Sequence, residues 1–413
     1  MQKELMIALV LGPKGVTGSA LIAGLLDAPQ WDRVITLSRT PFRPLVPSDK
    51  LISLQGDLFD LDQLKQTLAP YAITHIFFAA HALVKIGYSK NYATTLASFQ
   101  SAKLISPLLK VLRNNSGRVA RYLGRRFAIE SEKYDPEKSN LRMLCNTIAA
   151  VQSGGKNLQH VALVTGTAYH GIALGPYFHP HWKSHFEAAD PPVPDYPCFY
   201  YELEATLKNL ARQQGFSYSI VRPGFVLGYG ENPAMNFGIT LAVYAHILKA
   251  MGLPLYYPGI KANYEARWQM SSADDIAKVM MESAINPCFQ DQTFLVANQD
   301  VCSWATMWPE IAAYFDMPYA ANFSSPLLSQ ISATRRGDRA WERVAVKQQL
   351  QVKDRAAIAN LSMMFKSTVL DWDYTYSLEP LCNLGMQTES DTKNTFYNLF
   401  RKLEEMKLIP RAN

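Results

Sequence analysis

The chain has few cysteines, no apolar run long enough to span a bilayer, no internal repeat and no low-complexity linker. Its five cysteines, Cys145, Cys198, Cys288, Cys302 and Cys382, are scattered, odd in number and form no CxxC. That excludes a disulfide framework and points to reduced thiols. The lack of a spanning run excludes a transmembrane helix within the sequence. The opening MQKELMIALV lacks a signal-peptide layout and runs straight into an apolar stretch, so a cytoplasmic location is expected. His179, His181 and His185 have no flanking acid or cysteine to complete a metal set, so they are read as solvated loop histidines and no metal is expected. The net charge of +6 suits an anionic ligand, but no nucleic-acid module accompanies it, so no nucleic-acid partner is expected. Hydrophobic residues, at 48% of 413, are ample for a core, and the length suits one large domain with additions or two domains.

The organising stretch is Met6–Leu26, MIALVLGPKGVTGSALIAGLL. An apolar run of strand length, Met6–Leu11, turns on Gly12, Gly15 and Gly18 and continues into a helical pattern. In such a turn the first glycine permits the bend and the second lets backbone approach a pyrophosphate. The third lets the helix pack close to the strand, and the helix N-terminus faces the phosphate. Arg33–Ser38 is a second strand, ending in Ser38-Arg39-Thr40. An arginine here accommodates a 2′-phosphate where an acid would bond a ribose hydroxyl, so NADPH is expected over NADH. Leu51–Gln55 is a third strand, with Asp57 placed to meet the adenine amino group. His75–Ala79 is a fourth, whose small residues Ala79 and Ala80 leave room for a cofactor. His160–Val164 is a fifth, leading into Thr165-Gly166-Thr167, where a threonine is placed to donate near the nicotinamide. Tyr218–Arg222 is a sixth. Short β and α patterns alternating in this way predict an α/β fold with a Rossmann-like, doubly wound parallel sheet.

Between Val84 and Ile129 there is no acidic residue, while lysines and arginines recur from Lys85 to Arg126. The span reads as a basic, amphipathic helical insertion, packed as a cap with its charges solvated. A weak membrane-surface contact through it and a homodimer are carried as further expectations. Gly171–Pro197 reads as a long polar loop. A helix then runs from after Pro197 to Gly215, with Leu203, Leu207 and Leu210 as its apolar stripe. Tyr200 shares that stripe and is expected in the core. Tyr201 is displaced from it and is a candidate proton donor or enolate stabiliser. Helices are expected at Met235–Met251 and Ser272–Ala284, and the remainder reads as mostly helical. The expected division is a Rossmann-like domain over 1–230, with the insertion at about 84–139, and a mostly helical substrate-binding region over 231–413, interleaved with the core.

By its GPKGVTG, LVTGT, Phe199–Tyr201 FYY, RPGFVLGYG and SSADDIA segments, the chain resembles the progesterone 5β-reductase and iridoid synthase-like branch of the short-chain dehydrogenases/reductases. The resemblance covers nearly the whole chain apart from the basic insertion. It implies NADPH-dependent 1,4-reduction of an enone or enal on a hydrophobic small molecule, with Tyr201 stabilising the enolate oxygen. It also implies cofactor contacts at Lys14, Gly15, Val16, Arg39, Thr40, Asp57, Leu58, Ala80, His81, Val164 and Val226, with Pro233, Ala234 and Met235 closing over the cofactor. The family's usual lysine after the fifth strand is replaced by Ala168, and the residue four after Tyr201 is Ala205. That departure opens two alternatives on the same scaffold: a non-redox cyclase or isomerase, and an inactive NADP(H)-sensing protein.

Overall fold

The computed structural model describes residues 5–42, 47–82, 136–155, 158–232, 236–321, 323, 334–368 and 370–412. The basic stretch from Val84 to Ile129 lies outside these, as do Pro233, Ala234 and Met235.

Seven parallel strands form the central sheet: β1 (Ile7–Leu11), β2 (Arg33–Ser38), β3 (Leu51–Gln55), β4 (His75–Phe78), β5 (His160–Val164), β6 (Ser217–Pro223) and β7 (Gln292–Val296). Their order is β7-β6-β5-β4-β1-β2-β3. The two halves wind outward from β1, which pairs with β2 on one side and β4 on the other. β1 is apolar and buried throughout, as a strand covered on both faces must be. Its alternate residues feed separate cores. Ala8 and Val10 pack with α1 (Val16–Asp27) and α6 (Ala273–Ile285). Ile7, Leu9 and Leu11 pack with α2 (Leu61–Leu68), α3 (Pro136–Gln152) and α4 (Tyr200–Gln214).

A third core lies in the C-terminal body around α5 (Phe237–Ala250), in which every residue from Phe237 to Leu248 is buried. A helix apolar all round has to be enclosed by others. Here α7 (Trp304–Tyr314), α8 (Arg335–Lys347), α9 (Leu361–Ser367) and α10 (Thr392–Glu405) share that core, with Trp268, Trp304, Trp308 and Trp341 as its bulkiest members.

Beyond 285 the chain is mostly helical, as expected, but not entirely so: Gln292–Val296 pairs with β6 and completes the sheet. The sheet layer therefore draws on both sides of the boundary at 230, because α6 and β7 return to it. Nor is Gly171–Pro197 simply a loop. It carries a short helix, Gly175–Phe178, and a two-residue strand, His185–Phe186, paired with Thr375–Tyr376. Gly171 and Gly175 have φ of 62° and 58°, and the Trp372 ring packs against Gly175 where a Cβ would stand. Among the described residues no helix is long and apolar enough to cross a membrane.

Candidate active site at the carboxyl end of the sheet

Strands β1, β2, β4, β5 and β6 all end at one edge, where doubly wound sheets hold ligands. Gly12 turns the chain there with φ 81°, and a Cβ on it would stand 2.5 Å from the Ala79 carbonyl. A Cβ on Gly18 would collide with the Gly12 carbonyl. The Gly15 amide closes the turn on the Gly12 carbonyl at 3.0 Å, and no side chain caps the start of α1. The first amides of α1 thus face a cradle kept clear of side chains, which is the shape and polarity a pyrophosphate requires. These residues fit a dinucleotide.

Beside the cradle, Lys14 Nζ donates to Thr40 Oγ1 at 2.7 Å and lies 3.8 Å from Glu231. Arg39 is exposed at the end of β2, and its guanidinium has no partner among the described residues. Lys14 and Thr40 are thus brought together, with the exposed Arg39 next to Thr40 in the chain. Asp57 keeps its own turn by accepting from the Phe59 amide at 3.1 Å, and the Leu58 carbonyl accepts from Asn146 at 2.9 Å. Ala80, Val164 and Val226 are half-buried at the strand ends. The His81 ring lies 5.1 Å from Phe199 and 6.3 Å from Tyr200, centroid to centroid.

The two tyrosines of the FYY segment have different environments. The Tyr201 hydroxyl donates to the Tyr169 carbonyl at 2.8 Å and accepts from the Val193 amide at 2.9 Å. It pins both ends of the 169–193 segment and has no donor capacity left over. Tyr200 opens α4 half-buried, and its hydroxyl has no hydrogen-bond partner among the described residues. A Cβ on Gly166 would lie 3.4 Å from that hydroxyl and 3.6 Å from the Pro223 carbonyl. Tyr200 therefore reaches the ends of β5 and β6. Its ring packs against the core, as sequence periodicity expected, while the first turn of α4 aims its tip toward the strand ends. Burial pushes both hydroxyls well above the ordinary tyrosine value. For Tyr200, Cys198, Glu204 and Tyr196 add to the shift.

The Thr165 hydroxyl is not free to donate to a ligand. It donates to Glu204 at 2.8 Å, drawn inward by a buried carboxylate that needs every donor available. Glu204 also accepts from Arg222 through Nε at 3.0 Å and Nη2 at 2.6 Å. Both partners are about 2% exposed. The Arg222 guanidinium lies over the Tyr169 ring, 3.3 Å from its centroid, and donates to the Ala188 carbonyl at 3.0 Å. This pair ties α4, β6 and the 169–193 segment together. Sequence reasoning missed it, although an arginine inside the apolar strand SYSIVRP was a signal. Ala168, at the family's lysine position, is exposed. The buried cation Arg222 beneath the tyrosines is neutralised by Glu204 and does not replace the missing ammonium.

The three loop histidines are held separately. His179 donates to the His170 carbonyl, His181 donates its amide to the His179 ring, and the His185 ring meets Thr375. Among the described residues no group of three His, Cys, Asp or Glu could hold a metal ion.

Sheet order and glycine cradle together define a Rossmann-fold protein. The family model of the PRISE-like Rossmann-fold domain matches residues 110–410, and the chain belongs to that family. It is 26% identical over 418 residues to the 3-oxo-Delta(4,5)-steroid 5-beta-reductase of Arabidopsis thaliana, covering 98% of this chain and 93% of that protein. It is 28% identical over 423 residues to the (S)-8-oxocitronellyl enol synthase of Antirrhinum majus, with the same coverages. Among solved structures, the terminal R domain of the myxalamid PKS-NRPS pathway superposes with a TM-score of 0.61 at 14% identity, covering 100% of this chain and 94% of that one.

Proposed function

We propose that the protein is an NADPH-dependent reductase of activated C=C bonds, acting on an enone or enal within a hydrophobic small molecule of terpenoid or steroid type. The observation that carries this reading is the meeting, at one end of the sheet, of a glycine cradle fitted to a dinucleotide and a tyrosine hydroxyl with no hydrogen-bond partner among the described residues. Gly12, Gly15, Val16 and Gly18 would hold the pyrophosphate. Lys14, Arg39 and Thr40 would hold the 2′-phosphate, and Asp57 and Leu58 the adenine. Ala80, His81, Val164 and Val226 would border the nicotinamide half. NADPH bound there supplies the hydride. The protein's own part is to hold the substrate carbonyl against a hydrogen-bond donor that strengthens as charge develops on the enolate oxygen. We assign that donor to Tyr200. Tyr201, to which the family resemblance points, has its proton on the Tyr169 carbonyl and acts by holding the loop. Raised well above its ordinary value by burial, Tyr200 stays protonated and works as a neutral donor.

The test follows NADPH absorbance with a cyclohexenone, an enal and a steroid enone. Turnover is expected. Tyr200→Phe should lower kcat by about 100-fold with little change in KM, as loss of an oxyanion donor does. Tyr201→Phe should cost less and raise KM. The reverse ranking would return the donor role to Tyr201. A second reading, a non-redox cyclase or isomerase that polarises a carbonyl through the same hydroxyl, draws support from the exposed Ala168. NADPH binding without turnover of any of the three substrates would favour it.

A further inference from the structure

Helix α8, RRGDRAWERVAVK, buries Gly337, Ala340, Trp341 and Ala345 against the C-terminal core. At about 100° per residue, Arg336, Arg339, Arg343 and Lys347 fall within an arc of roughly 80° on the flank of that buried face, along about 16 Å of helix. All four are exposed, and none is ion-paired with a described residue. Asp338, the acid in the helix's first turn, lies on the far side and pairs with Arg355 at 2.6 Å. Like charges at i, i+3 and i+4 spacing repel one another, and Glu342, three residues after Arg339, offsets only one of the four, so the row carries a cost that a further counter-charge would remove. The Arg343 Nε donates to the Arg339 carbonyl at 3.3 Å, which lays its guanidinium along the row.

The row forms one wall of a groove of about 870 Å³. The end of α5 contributes Ala250 and Met251, and Val346 adds an apolar surface that is 55% exposed. Glu342 also lines the groove, leaving it three positive charges in excess. Guanidinium forks grip phosphate oxygens two at a time. An organic diphosphate carries about three negative charges near neutral pH, since the second ionisation of a terminal phosphate falls near 6, which matches the excess in the groove, and it is of a size to be gripped by the neighbouring Arg339 and Arg343. Its organic part would lie on Met251 and Val346. The groove's size is within the range of small-molecule sites.

We propose that this groove binds a small organic diphosphate, at a site on the C-terminal body separate from the sheet crevice. The proposal does not depend on the reductase reading. The experiment is calorimetric titration of the full chain with hexyl diphosphate and, in parallel, inorganic pyrophosphate. The wild type is compared with Arg339→Gln/Arg343→Gln and with the single Arg339→Gln. Saturable binding of hexyl diphosphate is expected, weakening at least 10-fold in the double variant and less in the single one, with unchanged melting temperature. Pyrophosphate should bind more weakly because it lacks the apolar part. Equal affinity in wild type and variants would place any binding elsewhere, for instance at the glycine cradle, and would overturn the proposal; so would the absence of saturable binding. Equal affinity for the two ligands would overturn the role given to Met251 and Val346. Sedimentation with phosphatidylserine vesicles in the absence of hexyl diphosphate binding would reassign the face to a membrane surface.

Discussion

Around Gly12 the chain has no room for a side chain, whereas α5 buries every side chain from Phe237 to Leu248. The cofactor end of the sheet is shaped by backbone: a turn at φ 81°, two glycines that cannot carry a Cβ, and uncapped amides at the head of α1. The C-terminal body is shaped by volume, with Trp268, Trp308 and Trp341 almost fully buried. A ligand site made of amides tolerates no added atom, because backbone cannot move aside. A core made of large rings fails in the opposite way, when atoms are taken out.

The sharpest way to break the comparison is Gly12→Val. It places a branched side chain against the Ala79 carbonyl and at positive φ, and NADPH affinity should fall by at least about 100-fold in a fluorescence titration, close to 3 kcal/mol. Next in size is Trp308→Ala in the body. It should cost about 3–5 kcal/mol of stability in urea unfolding, while the fraction that remains folded binds NADPH with wild-type affinity. Loss of both stability and affinity would mean that the two regions are not separable.

Acid tests both regions together. Burial lowers His75 in β4 to about 4 and His160 in β5 to about 3, and it lowers His246 in α5 and His170 beside the FYY helix to about 3. The unfolded chain, with histidines near 6.5, binds protons that the folded chain refuses. Stability is therefore fully present above pH 6.5 and falls as pH drops from 6.5 toward 4. The urea midpoint should fall over that window. His246→Leu, which removes a ring whose Nε2 has no partner, should make the fall shallower without lowering the midpoint at pH 7.5. The smallest expected effect is at Arg39. Arg39→Ala should weaken NADPH binding about 10-fold and leave NADH binding unchanged, by competition titration. Equal losses for both would remove the 2′-phosphate assignment.

The bounds of β2, β3 and β5 agree with expectation residue for residue; β2 and β5 are largely buried inside the sheet, whereas β3 at its edge is only partly so. The glycine cradle was legible for a local reason: only glycine fits the turn at Gly12. Strand β7 was not, since QTFLV is too short to be told from a buried helical segment without its neighbour β6. The Thr165 hydroxyl was misjudged because its direction depends on Glu204, 39 residues away, which is held in turn by Arg222. The difference in surroundings between Tyr200 and Tyr201 is likewise tertiary. The two differ by one step around a helix, and only the Tyr169 carbonyl and the Val193 amide determine which hydroxyl is occupied. What sequence alone determined was backbone geometry and periodic burial, both set within a few residues. What only the folded chain decided was the direction of each polar atom at the site, because a buried donor or acceptor takes the partner that distant segments bring to it.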